Sequence, residues 1–547
     1  MEPALIDRRS RLAVVGIAPA AGQILAGREA QFRLGEVVRI LELLTAVDAT
    51  RYHGGEGIGQ LAQIEDLHQG GLMAGAVAVL MQGQKHRDRA ARWASHDSSP
   101  EDGPGSSQDA GKDVDPGQIE GSSCARSMAH HQILIVGGGA AGLTAASQLK
   151  RARPQLEIAL LEPSEQHDYQ PGWTLVGGGV FSLEETRRPE ASLIPDGVHW
   201  IREGAASFDP TANSVTTTGG TVLTYDVLIV ATGLRLRWEA IKGLSEALGK
   251  GGVCSNYSRE HVEYTWQCIQ EFQGGNAVFT CPPMPIKCPG APQKIAYLAD
   301  DVIQRDPALA ARSKVIYATA TPGIFGVPTF AAPLREVVKR KGIEALYSHA
   351  LTEVRPDSKE AVFRVTPASP SRDEGEEPFE VVIPYSLLHA TPPMSAPQVV
   401  AESPLAAAAA PGGFVEVDQY SLQHKRFANV FAIGDVAGMP NSKTAAAVRG
   451  QAPVLVANLL SLLDGQTLDS RYDGYSCCPL ITGYGKVIMA EFNYEQQPVP
   501  SFPLDPTQER WSMWVVKKNV LPWLYWNRML RGGQHERSFV PGYQAKA

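Results

Sequence analysis

Hydrophobic and polar positions fall into a steady register only from about residue 128 onward. His131-Gln-Ile-Leu-Ile-Val136 is a short, β-branched apolar run, the pattern of a strand covered on both faces. It breaks into Gly137-Gly-Gly-Ala-Ala-Gly142, after which Leu143-Thr-Ala-Ala146 opens a helical pattern. Ile158-Ala-Leu-Leu161 is the next apolar run, and strand and helix patterns alternate to about residue 246. Tyr225-Asp-Val-Leu-Ile-Val-Ala-Thr-Gly233 and, much later, Asn429-Val-Phe-Ala-Ile-Gly-Asp435 are further strand patterns that run into small residues. Alternation of this kind predicts an α/β fold with parallel sheets.

Residues 1–127 carry no such register. Glu36-Val-Val-Arg-Ile-Leu-Glu-Leu-Leu44 reads as helical, but 96–123 is dominated by Asp, Ser, Gly, Pro and Gln, a composition expected to stay disordered. The segment reads as an N-terminal extension, with the folded part of the chain expected to start at Met128. Arg8-Arg9-Ser-Arg-Leu-Ala-Val-Val resembles an export signal only faintly, because its apolar run is short and contains Pro19.

The first glycine turn carries chemistry. Gly137, Gly139 and Gly142 hold the G-x-G-x-x-G spacing: a tight turn, a close backbone approach to a pyrophosphate, and tight helix-on-strand packing. The helix beginning at Ala140 and Ala141 offers free N–H groups and a positive dipole end to phosphate. Glu162, with Pro163 after it, ends the next strand twenty residues beyond Gly142, where a carboxylate accepts ribose hydroxyls. Thr232-Gly233 and Gly434-Asp435 end the other two strands, and Asp435 is placed to hydrogen-bond a ribityl chain. Together the three turns resemble the two-dinucleotide-domain flavoproteins. That resemblance implies FAD, and an α/β fold of two Rossmann-like dinucleotide-binding domains with the second inserted in the first. The expected boundaries are 128–246 plus 415–460 for the FAD domain, 247–414 for the insert, and 461–547 for a C-terminal quinone- and membrane-associating region.

The inserted domain decides the electron donor. Its first strand, Asn276-Ala-Val-Phe-Thr280, is followed by Cys281-Pro-Pro-Met-Pro-Ile-Lys-Cys-Pro-Gly-Ala-Pro-Gln-Lys294 rather than by a glycine turn. Prolines lack the N–H that an amide cradle needs, so a nicotinamide donor, as in a type II NADH:quinone reductase, is disfavoured. A thiol stands there instead.

Ile286-Lys-Cys-Pro-Gly-Ala-Pro-Gln-Lys294 closely resembles the sulfide:quinone oxidoreductases of the type shared by bacteria and mitochondria. Further likeness lies in Tyr169-Gln-Pro-Gly-Trp-Thr-Leu-Val-Gly-Gly178, Ser442-Lys-Thr-Ala-Ala-Ala-Val448, Tyr472-Asp-Gly-Tyr-Ser-Cys-Cys-Pro-Leu-Ile-Thr-Gly-Tyr484 and Trp523-Leu-Tyr-Trp-Asn-Arg-Met-Leu-Arg-Gly532. The resemblance spans about Met128 to Gly533. It implies that hydrosulfide opens a cysteine disulfide beside FAD, that sulfane sulfur leaves on a small acceptor, and that electrons pass to a membrane quinone, ubiquinone or menaquinone. Cys288 matches one redox cysteine, and its neighbour Lys287 favours the thiolate electrostatically. In mitochondrial members the second cysteine directly follows the Gly-Asp pair, where this chain has Val436. Cys281 and Cys254 are the candidate substitutes, Cys288 acting alone is a third possibility, and the vicinal Cys477-Cys478 reads as packing. A non-enzymatic flavoprotein that binds or senses redox ligands draws its support from Val436 alone. Lys443 is expected near the flavin or quinone, and Gln170, with Tyr169, Pro171 and Trp173, is expected to pack at the flavin.

The tail adds a surface. From Glu509 to Ala547 seven Lys or Arg stand against two Glu, with Trp511, Trp514, Trp523 and Trp526 close together. Short apolar faces flanked by Lys517, Lys518, Arg528 and Arg531 are the pattern of a segment lying on anionic lipid. A peripheral protein of a bacterial cytoplasmic membrane is therefore expected, with the side open. No stretch reaches the roughly 18 consecutive apolar residues of a spanning helix; Gly70 to Met81 is the best run. The net charge of −8 disfavours nucleic acid as a partner. None of the seven cysteines forms a C-x-x-C pair with zinc spacing, so no metal site is expected.

Overall fold

The computed structural model describes residues 128–366, 377–408 and 411–533. The proposed N-terminal extension, 1–127, and the end of the tail, 534–547, lie outside the described residues. The chain divides into two units, 1–123 and 124–547, and the account below concerns the second.

Its first sheet is built from β1 (Met128–Val136), followed by helix α1 (Ala140–Ala152), then β2 (Ile158–Leu161), β3 (Val198–Ile201), β4 (Ala205–Asp209), β5 (Ser214–Thr217) and β6 (Val222–Val230). The order is β3-β2-β1-β6-β5-β4. β1, β2, β3 and β6 are parallel, while β4 and β5 form an antiparallel hairpin on the N-terminal half of β6. The second sheet comprises β7 (Val253–Cys254), β8 (Gly275–Cys281), β9 (Ser313–Thr319), β10 (Glu344–Leu346) and β11 (Leu387–His389), in the all-parallel order β7-β11-β8-β9-β10. Helix α2 (Ala291–Ile303) follows β8. The chain then returns to the first sheet as β12 (Val430–Ala432), which pairs with the C-terminal half of β6. The insertion expected from the sequence is thus realised as one parallel sheet interrupting another.

Strand register explains why three distant glycine turns act together. Val136 pairs with Val230, and Val230 pairs with Ala432. The strands therefore end level, and Gly137, Ala231–Gly233 and Gly434 emerge side by side at the carboxyl edge, the edge where open α/β sheets bind ligands. Ile133, Leu134 and Ile135 in β1 and Leu228, Ile229 and Val230 in β6 are fully buried, as their unbroken apolar pattern requires.

Helix α3 (Ala445–Leu463) is capped by Thr444, whose hydroxyl accepts from Ala447 N–H at 3.1 Å. By length and composition it is apolar enough to cross a membrane. Here Leu455, Leu459 and Ala452 are fully buried in the protein, and the helix packs against α1. The hairpin β13 (Ser476–Gly483) and β14 (Lys486–Phe492) follows. The described residues close with α4 (Trp511–Val515), a π-helical turn (Val516–Val520), α5 (Leu521–Asn527) and a 3-10 turn (Met529–Arg531).

Candidate active site

The level strand ends open onto a cavity of about 460 Å³. Gly137 has φ +107°, and a Cβ there would stand 2.5 Å from the Ala231 carbonyl oxygen. A Cβ on Gly142 would lie 1.8 Å from the Gly137 oxygen, whereas one on Gly139 would meet nothing within 4 Å. The first and third glycines are thus required by packing, while the second faces open space. Gly139, Ala140 and Ala141 line the cavity, and α1 starts there without a side-chain cap or an acidic residue. Its first N–H groups are left for an anion.

Glu162 also lines the cavity. Its two carboxylate oxygens accept from Gly138 N–H and Ser164 N–H, each at 2.7 Å, so it holds the glycine turn. Gln170, Thr232, Gly233, Gly434, Asp435 and Lys443 lie in the same wall. Pro163 is exposed and is not among the residues lining the cavity. Thr232 Oγ1, Trp173 Nε1, Arg449 Nε and Glu190 Oε1 are buried without a hydrogen-bond partner, and all four residues line the cavity. Buried polar atoms of that kind call for a ligand.

The second sheet supplies the thiol. The loop after β8 passes through its prolines to Cys288, which adopts φ +48°, a backbone strain of the sort that accompanies functional positions. It is tied down by Cys288 N–H donating to the Lys443 carbonyl at 2.9 Å and by the Tyr257 hydroxyl donating to the carbonyls of Lys287 and Cys288 at 3.1 and 3.2 Å. Cys288 lies just before α2, so it shares the positive end of that helix.

The cation in contact with the sulfur is Lys294, not Lys287. Lys294 sits in the first turn of α2, where side chains slant back toward the N-terminus, and its Nζ is 3.2 Å from Cys288 Sγ. Lys287 instead donates to Gln170 Oε1 at 2.5 Å and lies over the rings of Trp173 and Tyr257. The Cys288 thiol is held well below its ordinary pKa, first by a hydrogen bond from Cys478 and then by Lys294 and Lys517. Burial pulls Lys287, Lys443 and Lys517 each down to about 8. Lys443 donates to the carbonyls of Asp435 and Ala437 at 2.7 and 3.0 Å, bracing the Gly-Asp turn.

The remaining cysteines fall differently from the sequence expectation. Cys254 is fully buried and faces Cys268. Cys281 is buried against Tyr317 and Thr319, and neither Cys254 nor Cys281 lines the cavity. Cys477 does line it, and the Cys478 thiol lowers the pKa of Cys288. The vicinal pair read as packing therefore lies on the strand that covers the candidate sulfur's turn, because β13 crosses the start of α2; a Cβ on Gly290 would meet Leu480 at 2.5 Å.

The tail also corrects the sequence reading. Lys517, expected to flank a lipid-facing surface, points inward and donates to the Pro171 carbonyl at 2.8 Å. Tyr525 hydrogen-bonds His167 Nε2 at 2.6 Å, and His167 Nδ1 meets Glu190 Oε2 at 3.1 Å. All three are buried in the cavity wall. The sequence carried no signal for this trio, whose members lie on segments far apart in the chain. Lys294 was legible as a first-turn lysine after a cysteine.

Residues 131–263 match the pyridine nucleotide-disulphide oxidoreductase family. The mitochondrial sulfide:quinone oxidoreductase of Mus musculus is 44% identical over 418 residues, covering 76% of this chain and 90% of the relative. The chain belongs to the sulfide:quinone oxidoreductase family. The mitochondrial member from Dictyostelium discoideum is 42% identical over 403 residues, 73% of this chain and 86% of its own length. The crystal structure of the Aquifex aeolicus sulfide:quinone oxidoreductase shares the fold, with a TM-score of 0.59 at 20% identity over 74% of this chain and 92% of that one. Membership implies a flavin, and the uncapped α1, the open space at Gly139 and the partnerless Thr232 fit one.

The contact between Lys294 and Cys288 predicts a pH effect. A thiol whose pKa is depressed is thiolate, and reactive, at lower pH than an ordinary cysteine. Removing the ammonium in Lys294→Met raises that pKa, so the pH midpoint for alkylation of Cys288 moves upward. An unshifted midpoint would show that Lys294 does not hold the thiolate.

Proposed function

We propose that this protein oxidises sulfide to sulfane sulfur and passes two electrons through FAD to a membrane quinone, ubiquinone or menaquinone. One observation carries the reading. Cys288, with Lys294 at 3.2 Å, opens into the same cavity as the three glycine turns. FAD supplies a two-electron acceptor there. Gly137, Gly139, Ala140, Ala141, Glu162, Thr232, Gly233, Gly434 and Asp435 would hold it, with Gln170 and Lys443 at its reactive end. Gly142 acts behind them, setting α1 on β1.

The lysines give the cavity a positive potential that draws hydrosulfide, an anion, toward Cys288. The sulfane sulfur leaves on a small sulfur acceptor. On the far side, Leu521, Leu524, Tyr525 and Met529 contribute an apolar wall from the tail, suited to a quinone ring. Anaerobic addition of sulfide is expected to bleach the flavin absorbance, and addition of NADH is not. Bleaching by NADH alone would replace this reading with that of an NADH:quinone reductase.

The tail is proposed to lie on the membrane surface. Trp514, Trp523 and Trp526 remain partly exposed beside Lys518 and Arg528, an aromatic and basic rim. Trp523→Ser combined with Lys518→Gln is expected to lower flotation with vesicles containing anionic lipid while leaving flavin content intact. Equal flotation of variant and wild type refutes membrane docking through this face.

A further inference from the structure

We infer that Cys478 is the partner thiol of Cys288, and that the two form the disulfide which sulfide opens. The inference rests on the proposed sulfide oxidation. After Gly434-Asp435 the chain has Val436, fully buried and without a thiol. Six free cysteines lie among the described residues. Cys254 is turned to Cys268, Cys281 to Tyr317 and Thr319, and Cys477 lies with its sulfur 3.5 Å from Met489 Sδ. Cys478 stands two residues before Leu480 on the same face of β13, and Leu480 is the side chain that meets Gly290, two residues after Cys288; its thiol also lowers the pKa of Cys288.

The backbone on both sides of this pair is fixed. β13 is pressed onto the Cys288 turn at Gly290 and Leu480. Ser476 Oγ donates to the Ser442 carbonyl at 3.2 Å, and the next carbonyl, that of Lys443, accepts Cys288 N–H at 2.9 Å. The two cysteines are therefore anchored to one loop from opposite directions, which fixes both backbones beside each other as a bridge requires.

Access assigns the roles. Cys288 lines the cavity, whereas Cys478 is fully buried behind it. Hydrosulfide therefore attacks Cys288 Sγ. A new sulfur–sulfur bond forms there, the bond to Cys478 breaks, and its electron pair goes to Cys478, which takes a proton from the Lys294 ammonium. Cys288 then carries the persulfide and Cys478 the thiol. A small sulfur nucleophile, a thiolate or sulfite, removes the outer sulfur and leaves Cys288 as thiolate. Reclosing the disulfide returns the proton to Lys294 and gives up two electrons, for which a flavin held by the glycine turns would be the acceptor.

The test begins with the oxidised wild-type holoenzyme, denatured in alkylating reagent without reductant and mapped by mass spectrometry. The expected result is a peptide pair joined through Cys288 and Cys478 that separates on reduction. In stopped-flow mixing with sulfide, Cys478→Ser is expected to slow flavin bleaching by about a hundredfold or more, with bleaching by dithionite unchanged. Cys268→Ser, remote from the cavity, serves as the control and keeps the wild-type rate. Alkylation of both Cys288 and Cys478 in the oxidised enzyme, a link from Cys288 to another cysteine, or wild-type bleaching in Cys478→Ser overturns the inference. A wild-type flavin that ignores sulfide while the Cys288–Cys478 link is present would sink the proposed function and leave the pair standing.

Discussion

The Cys288→Ser protein is expected to keep its flavin yet to be bleached by sulfide more slowly than wild type by on the order of 10³-fold or more. Serine fits the space and leaves Lys294, Lys443 and the Tyr257 hydrogen bonds in place. What it removes is the sulfur proposed to accept hydrosulfide and carry the persulfide. A hydroxyl forms no disulfide, and at neutral pH it is scarcely ionised even beside an ammonium. Anaerobic stopped-flow absorbance reads the rate, with dithionite as the control for flavin. Equal bleaching of Cys288→Ser and wild type would remove Cys288 from the chemistry.

Gly142→Ala is expected to yield protein with little flavin and a lower melting temperature. The added Cβ would lie 1.8 Å from the Gly137 carbonyl oxygen, which is backbone and cannot swing aside. Gly137 is itself pinned, since its N–H donates to the Leu161 carbonyl at 2.9 Å and its own φ is +107°. Relief therefore requires α1 to lift from β1, at a cost of about 3 kcal/mol, the upper part of the range for overpacking. Gly139→Ala separates folding from binding. Its Cβ meets no protein atom within 4 Å, so this variant should melt like flavin-free wild type while losing flavin, because the methyl occupies the cofactor's space. Flavin released per polypeptide and thermal unfolding check both. A Gly142→Ala protein with full flavin and an unchanged melting temperature would contradict the packing argument.

Much of this protein was legible in the sequence because its cofactor turns are local. A glycine turn states its own geometry: Gly137, Gly139 and Gly142 hold their spacing within six positions, and the apolar runs before them declare buried strands by composition alone. The prolines after Thr280 likewise exclude an amide cradle wherever that loop lies. Family resemblance added Cys288 through a run of adjacent residues.

What the sequence left open were contacts between distant segments. The partner of Cys288 was sought in Cys281, nearest along the chain, and in Cys254. Yet Cys281 ends a strand and is buried against Tyr317 and Thr319, and Cys478, 190 residues beyond Cys288, is brought to the Cys288 turn because β13 crosses the start of α2. Lys517 read as a lipid-facing charge, since a basic residue between apolar ones has the same pattern whether it points out or in. Only the docking of the tail over Tyr169 and Pro171 turned it inward. Periodicity and motif spacing thus determined the fold and its glycine turns, and family resemblance named the first thiol, each encoded by neighbours in sequence. The packing of the tail and of the β13 hairpin against the inserted domain decided the cationic setting of that thiol and which cysteine meets it, because those contacts depend on strand register and helix placement that a linear pattern does not record.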